Sequence, residues 1–264
     1  MKKAVWLGLS ILLAGQCFAA PVLSTVIPSD TLAGNKDLSI GYQPEAVKPA
    51  LSYPVTGYTL FGAIYVLAAV AKMNEKANTL QKQYDALLAA HPEIPSLRDT
   101  FVQELELDLR ADGLKLNPIH TLNRQGDGDD LHYVLSANEI SSKKVLIFDH
   151  IATGYFAAGS TDPYHADAAV LVSVLDQADL SAKPQRYAPS ISCQQDKLDA
   201  AHIYPGFDEI SKDPQGAYGG LQQCLRRLAA QIADRFASDS NGSASLSPAQ
   251  PAISSAAPTP AAAN

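Results

Sequence analysis

Cys193 and Cys224 constrain this chain more tightly than any other pair of residues. Cys193 ends a strand-like run at residues 187–193. Cys224 sits on a helical repeat in which Leu221, Leu225, Leu228, Ile232 and Phe236 recur on one face. The third cysteine, Cys17, lies in a segment expected to be cleaved away, so in an oxidising compartment the remaining two are expected to pair. Such a bond pins a helix to the end of a strand. Closing a loop of about 30 residues in this way stabilises a fold by about 3 to 4 kcal/mol. Neither cysteine belongs to a Cys-x-x-Cys arrangement that would lower its pKa, so the pair reads as structural.

The compartment is read from the N-terminus. Lys2 and Lys3 precede an uncharged apolar stretch at residues 4–14, and small residues follow at Cys17 and Ala19. That order is the signature of a secretory signal peptide, residues 1–19, with cleavage expected after Ala19. The apolar stretch is well short of the ~20 residues that a bilayer span requires. Leu13-Ala14-Gly15-Gln16-Cys17 approaches a lipoprotein signal, but Gln16 stands where a small residue is needed, which leaves lipidation of Cys17 as the alternative. The mature chain is therefore expected in the periplasm or secreted. The full sequence has a net charge of -7, which becomes more negative once Lys2 and Lys3 are removed, and this disfavours nucleic acid and anionic headgroups as partners. The six histidines are scattered and no two fall at metal-ligand spacing.

Residues 20–54 are rich in Pro, Ser and Gly and read as an extended linker, with Leu38, Ile40 and Tyr42 alternating as a possible edge strand. A single α/β domain is expected over residues 55–237. It opens with a long helix, residues 57–90, apolar at its start and amphipathic later. Ser96 and Asp99 suggest a capped second helix with Phe101, Leu105, Leu107, Leu109 and Leu114 on its buried side and Gly113 as its C-terminal stop. A strand at 114–122 and a turn with a short helix through Leu131, Val134 and Leu135 follow. Strands at 145–157, 167–175 and 187–193 are joined by turn-rich links and suggest a meander. Pro214 opens the last helix. Residues 238–264, mostly Ser, Ala and Pro, cannot offset the entropy of ordering and are expected to be disordered. The expected fold is α+β: a three- to five-stranded, mostly antiparallel sheet packed against helices as a two-layer sandwich, with a long apolar N-terminal helix.

Residues 55–71 carry no charge and would span about 25 Å as a helix, at the lower edge of a bilayer core of about 30 Å. Three readings stand: a core helix, a membrane-associated helix and a partner interface. Gly57, Tyr58, Phe61, Gly62 and Tyr65 are the candidate contacts for the last two. Other candidates are weaker. The loop containing Asp127-Gly128-Asp129-Asp130, numbered from Asn123 as a calcium loop, has Val134 where a bidentate Glu is required. Asp149 and His150 are strand neighbours whose side chains point to opposite faces. Ser160 and His165 share a link that lacks the Gly-x-Ser-x-Gly elbow. Tyr155, Phe156, Tyr164 and Tyr187 cluster near strand ends, as a recognition surface or as sheet packing. No catalytic, cofactor-binding or metal-ligating residue is assigned.

The segment order runs through Gly-Tyr-Thr-Leu-Phe-Gly-Ala-Ile at 57–64, Leu97-Arg98-Asp99 through Gly113-Leu114, Asp149 to Gly159 followed by Ser-Thr-Asp-Pro-Tyr, and Asp208 to Leu221 leading into the final helix. Over about residues 55–237 this order resembles a group of uncharacterised exported proteins of proteobacteria. The arrangement is also similar to the anticodon-binding-like α/β sandwich of periplasmic domains in envelope assembly proteins, including curli-secretion lipoproteins and penicillin-binding-protein activators. The resemblance implies a fold and a compartment, and no reaction, cofactor or catalytic residue. The expected function is that of a non-enzymatic cell-envelope protein that binds or scaffolds an envelope protein partner. A membrane-associated component acting through residues 55–71 is the first alternative, and a periplasmic enzyme the second.

Overall fold

A computed structural model describes residues 24–28, 30–52, 62–126, 132–135, 138, 140–157, 162–179, 184–193 and 199–240. The proposed signal peptide, the acidic loop at 127–130 and residues 241–264 lie outside these.

The sheet is organised by two long strands, β6 (Lys144–Phe156) and β7 (His165–Asp176), which pair antiparallel over their whole length. Val145, Leu146, Ile147 and Phe148 are all fully buried, so this part of the sheet is covered on both faces. Alternate side chains belong to different cores. Leu146 and Phe148 enter the main core with Val170, Val172 and Val174 of β7. Val145, Ile147 and Leu175 enter a smaller cluster on the second face with Ile119, Tyr133 and Ile140.

Three strands run parallel to their neighbours. β1 (Asp37–Tyr42) lies between β6 and β3 (Lys115–Pro118), and β2 (Ala50–Ser52) pairs with the far end of β6. β8 (Gln185–Tyr187) and β9 (Ser190–Cys193) both pair antiparallel with β7. Among the described residues the sheet is thus seven-stranded and mixed, where three to five mostly antiparallel strands were expected. The segment expected as a linker with an edge strand supplies an interior strand instead. Leu38, Ser39, Ile40 and Gly41 are all buried, but Ser39 and Gly41 are small and hid the second buried face from a reading of hydrophobic alternation. Ser39 Oγ meets Ser142 Oγ at 2.6 Å beneath that face. Ile27 and Leu32 are buried too, so the segment before β1 belongs to the domain.

Helices cover the first face. α1 (Gly62–Ala90) is long, as expected, but residues 55–61 of the proposed apolar run lie outside the described residues. The long apolar N-terminal helix expected is not found: only residues 62–71 of α1 belong to the uncharged run, and beyond Ala71 the helix carries Lys72, Glu75, Lys76, Lys82 and Asp85, as the amphipathic later part was expected to. Among the described residues, no helix is long and apolar enough to cross a membrane. α2 (Leu97–Ala111) begins at the expected cap, where Ser96 Oγ accepts the Asp99 N–H at 3.0 Å. It stops before Gly113, whose φ of +83° is the left-handed conformation glycine adopts readily. Its buried stripe is Leu97, Phe101, Leu105 and Leu109. Leu107, expected inside, is 64% exposed because it lies half a turn off that stripe.

α3 (Phe207–Lys212) leads into α4 (Pro214–Ser240), which lies on β7 and β9 with α2 packed along it. Leu221, Leu225, Leu228, Ile232 and Phe236 are buried, as their spacing predicts. Asp213 caps this helix by accepting the Gly216 N–H at 3.0 Å. The short helix expected through Leu131, Val134 and Leu135 is replaced by an antiparallel hairpin, β4 (Leu122–Gln125) and β5 (His132–Leu135). Tyr133 points inward while His132 and Val134 point out, the period of a strand. This hairpin covers part of the sheet's second face.

Cys193 and Cys224 form the expected disulfide, with Cα atoms 5.8 Å apart. It fastens β9 to α4. Replacing both cysteines by alanine is expected to lower the unfolding free energy by about 3 to 4 kcal/mol, measured by urea denaturation, and reductant is expected to shift the unreplaced protein by a similar amount.

Candidate functional site

One extra residue in β6 creates the most distinctive surface on the molecule. Asp149 pairs with Leu171 and Ala152 with Ala169, so His150 and Ile151 together oppose Val170. His150 takes a φ of 50° to make this bulge. The Gln43 side chain braces it, its Oε1 accepting the His150 N–H at 2.6 Å. The bulge also exchanges the two faces of the strand. Before it, Leu146 and Phe148 reach the main core; after it, Ile151 and Tyr155 do.

Beyond the bulge the second face therefore presents Ala152, Gly154 and Phe156. Asp167 and Ala169 of β7 lie alongside, with Ser190 and Ser192 of β9 next to them and Ala50 of β2 on the other flank. These mostly small side chains form the floor of a trough of about 330 Å³. An adjoining hollow of about 590 Å³ is bordered by Glu45, Lys48 and His150, and the two share Ala50, Ala152 and Thr153. Gly154 is required by the flank: a β-carbon there would collide with the Ala50 carbonyl oxygen.

At one end of the trough, His165 is buried with its Nε2 3.5 Å from Asp167 Oδ1 and its ring edge-on to Phe156, centroids 5.7 Å apart. Asp167 Oδ1 is buried without a hydrogen-bond partner among the described residues, so the imidazole sits at ion-pair range without hydrogen-bond geometry. Thr153 Oγ1 donates to the Asp167 carbonyl at 2.7 Å and ties β6 to β7 there.

Asp149 belongs to a different environment. It is buried beneath the hairpin, where Tyr133 Oη donates to its Oδ2 at 3.0 Å and meets Ser173 Oγ at 3.2 Å. Burial and the Asp149 carboxylate push the Tyr133 phenol up to about 12, against the opposing effect of the Ser173 hydrogen bond. Asp149 and His165 are not brought together. Their ladder positions, Asp149↔Leu171 and Phe156↔His165, put them about 20 Å apart along the strands.

Of the candidate contacts in the apolar run, Gly57, Tyr58 and Phe61 lie outside the described residues, while Gly62 and Tyr65 fall in the first turn of α1. Ser160 also lies outside. The proposed aromatic surface is largely interior. Tyr155 and Tyr164 are buried, and Tyr155 Oη donates to the Ala217 carbonyl at 3.0 Å while its ring meets Tyr204 edge-on at 5.5 Å. Burial, then the neighbouring Tyr84, holds the Tyr155 phenol far above its ordinary range. Phe156 and Tyr187 are half-buried. The trough itself had no sequence signal beyond small residues two apart at 152 and 154 and at 190 and 192. Among the described residues, no three His, Cys, Asp or Glu side chains gather as a metal site.

No protein-family model matches this chain, and no curated protein shows significant similarity to it.

Two variants test this geometry. Gly154→Ala is expected to detach β2 from β6 and destabilise the fold by about 2 kcal/mol or more, through overpacking against backbone, readable as lost amide protection at residues 50–52. Tyr133 tests the buried pair. An unfolded phenol ionises near pH 10 and this one near 12, so the folded state keeps a proton that the unfolded state loses. Stability is fully present below about pH 10 and falls as pH rises toward about 12, by about 2 to 3 kcal/mol from this group. Tyr133→Phe is expected to cost about 1 to 3 kcal/mol at pH 8, because Asp149 loses a buried donor, and to flatten the alkaline slope in denaturation series from pH 8 to 12.

Proposed function

We propose that this protein is a non-enzymatic binding component of the cell envelope, exported by its N-terminal signal, that holds an extended segment of an envelope protein across the half of the sheet's second face that the described residues leave open. The observation that carries this reading is the change of cover at the bulge. The hairpin packs on the second face before it, and beyond it the floor is Ala50, Ala152, Gly154, Ala169, Ser190 and Ser192. Small side chains let another backbone approach closely, and the trough adjoins the second hollow through Ala50, Ala152 and Thr153, which gives an extended chain room to lie across both. Asp167 on the floor and Glu45 and Lys48 at the rim offer polar anchors of both signs. The separation of Asp149 from His165 supports binding over acid–base catalysis. The net charge of -7 favours a protein over a nucleic acid as the occupant.

In-cell crosslinking tests the proposal. A photoreactive residue at Ala169 or Ser190 is expected to give one discrete adduct with an envelope protein, while the same group at Leu107, exposed on the helical side, gives none. Ala169→Trp, which fills the trough, is expected to abolish the adduct formed from Ser190. No adduct from either trough position, or an equal one from Leu107, would reject this function.

A further inference from the structure

Among the described residues, Asp167 is the only charged side chain lining the trough; no lysine or arginine lines it. Its place on the ladder leaves it open from both sides. The residue beside it on β6 is Gly154, which has no side chain, and the one beside it on β9 is Ser192, which is exposed. Along β7 the next residues on the same face are Ala169, which is too small to cover it, and His165.

His165 is the one described group at ion-pair range of this carboxylate, with Nε2 3.5 Å from Oδ1. Oδ1 is buried and accepts no hydrogen bond among the described residues. The Asp167 side chain is nevertheless 38% exposed, so its accessible part is turned away from Oδ1 and toward the trough. Phe156, at the same end, adds a half-buried ring.

This placement sets a condition on what can lie in the trough. An occupant that covers the floor strips water from Asp167, and a carboxylate desolvated without a counter-charge is costly. A neutral occupant leaves that cost standing. A cationic head removes it by supplying charge-assisted donors, and its methylene stem can lie against the Phe156 ring. An acidic segment is repelled, both here and by the negative charge of the whole chain.

We propose that the segment held in the trough presents a lysine or arginine to Asp167, so that the floor selects a basic extended sequence. This rests on the reading of the trough as a site for an extended chain and specifies the chemistry of that chain.

The test uses the photoreactive residue at Ser190 in the full-length protein in its own cell, with the adduct sequenced by mass spectrometry. The attachment point is expected to lie within about three residues of a lysine or arginine, because Asp167 and Ala169, the ladder partner of Ser190, are about 7 Å apart along β7. Asp167→Asn is expected to lower the adduct yield at least about five-fold while melting close to the unaltered protein, since an ion pair without hydrogen-bond geometry contributes little to stability. Adding Ser192→Asp to that variant returns a carboxylate one strand away and is expected to restore most of the adduct. Replacing the partner's cationic residue by methionine is expected to lower the yield as Asp167→Asn does, and the two changes together are expected to lower it no further than either alone. If Asp167→Asn fails to fold, the partner variant decides alone. An adduct that persists undiminished in Asp167→Asn, or a captured segment without lysine or arginine, would overturn this inference and leave the trough as a site for some other extended chain. No adduct from Ser190 in the otherwise unaltered protein would overturn both.

Discussion

The antiparallel ladder between β6 and β7, with its one unmatched residue, is the constraint on which the rest of the structure depends. Every other strand of the large sheet pairs directly with one of these two except β3, which joins through β1. The unmatched position decides which side chains of β6 face the helices, because a single insertion reverses the alternation of a strand. Gln43 makes that insertion tolerable by accepting the displaced His150 N–H, and its own backbone N–H donates to the Phe148 carbonyl at 3.0 Å. The interruption between β1 and β2 falls beside the same place, so both neighbours of the β6 bulge depart from regular pairing together.

The helical layer is held by two kinds of contact. Apolar stripes on α2 and α4 bury Phe101, Leu105, Leu225 and Leu228, which gives the layer its bulk stabilisation. Tyrosines fix its orientation. Tyr84 meets Tyr218 edge-on at 5.2 Å, Tyr218 Oη donates to the Pro95 carbonyl at 3.2 Å, and Tyr204 Oη donates to Asp213 Oδ2 at 2.9 Å. Tyr218 and Tyr204 each place an apolar ring in the core and spend the hydroxyl at a helix end or a turn. The disulfide adds a covalent tie between this layer and the sheet at β9.

What could be read in the sequence was what a single local rule decides. The Ser96 cap needs only an oxygen three residues before an N–H; Gly113 needs only a left-handed stop; the α4 stripe needs only a repeat of three and four. The cysteine pairing followed from counting once Cys17 was set aside. What could not be read depended on partners distant in the chain. Ser39 and Gly41 look like loop residues until Ser142 and Ile119 pack over them. Tyr133 turns inward because Asp149 and Ser173 wait beneath it, and that preference has no trace in residues 126–142 taken alone. The trough was the least legible feature, since alanine, glycine and serine carry little hydrophobic contrast. Its floor is defined by a change of face in β6 that only the register with β7 discloses.

The bulge also gives the two halves of β6 opposite parity: even-numbered residues enter the main core before His150, and odd-numbered residues after it. Loss of that one residue would leave the composition of the strand nearly intact and yet carry Tyr155 and Ile151 onto the second face and Ala152 and Gly154 toward α4. The core would empty where an aromatic ring now lies, and that ring would fill the trough. Between Phe148 and Ala152, therefore, the number of residues is a stricter specification than their identity, and the strand stores its architecture as a count.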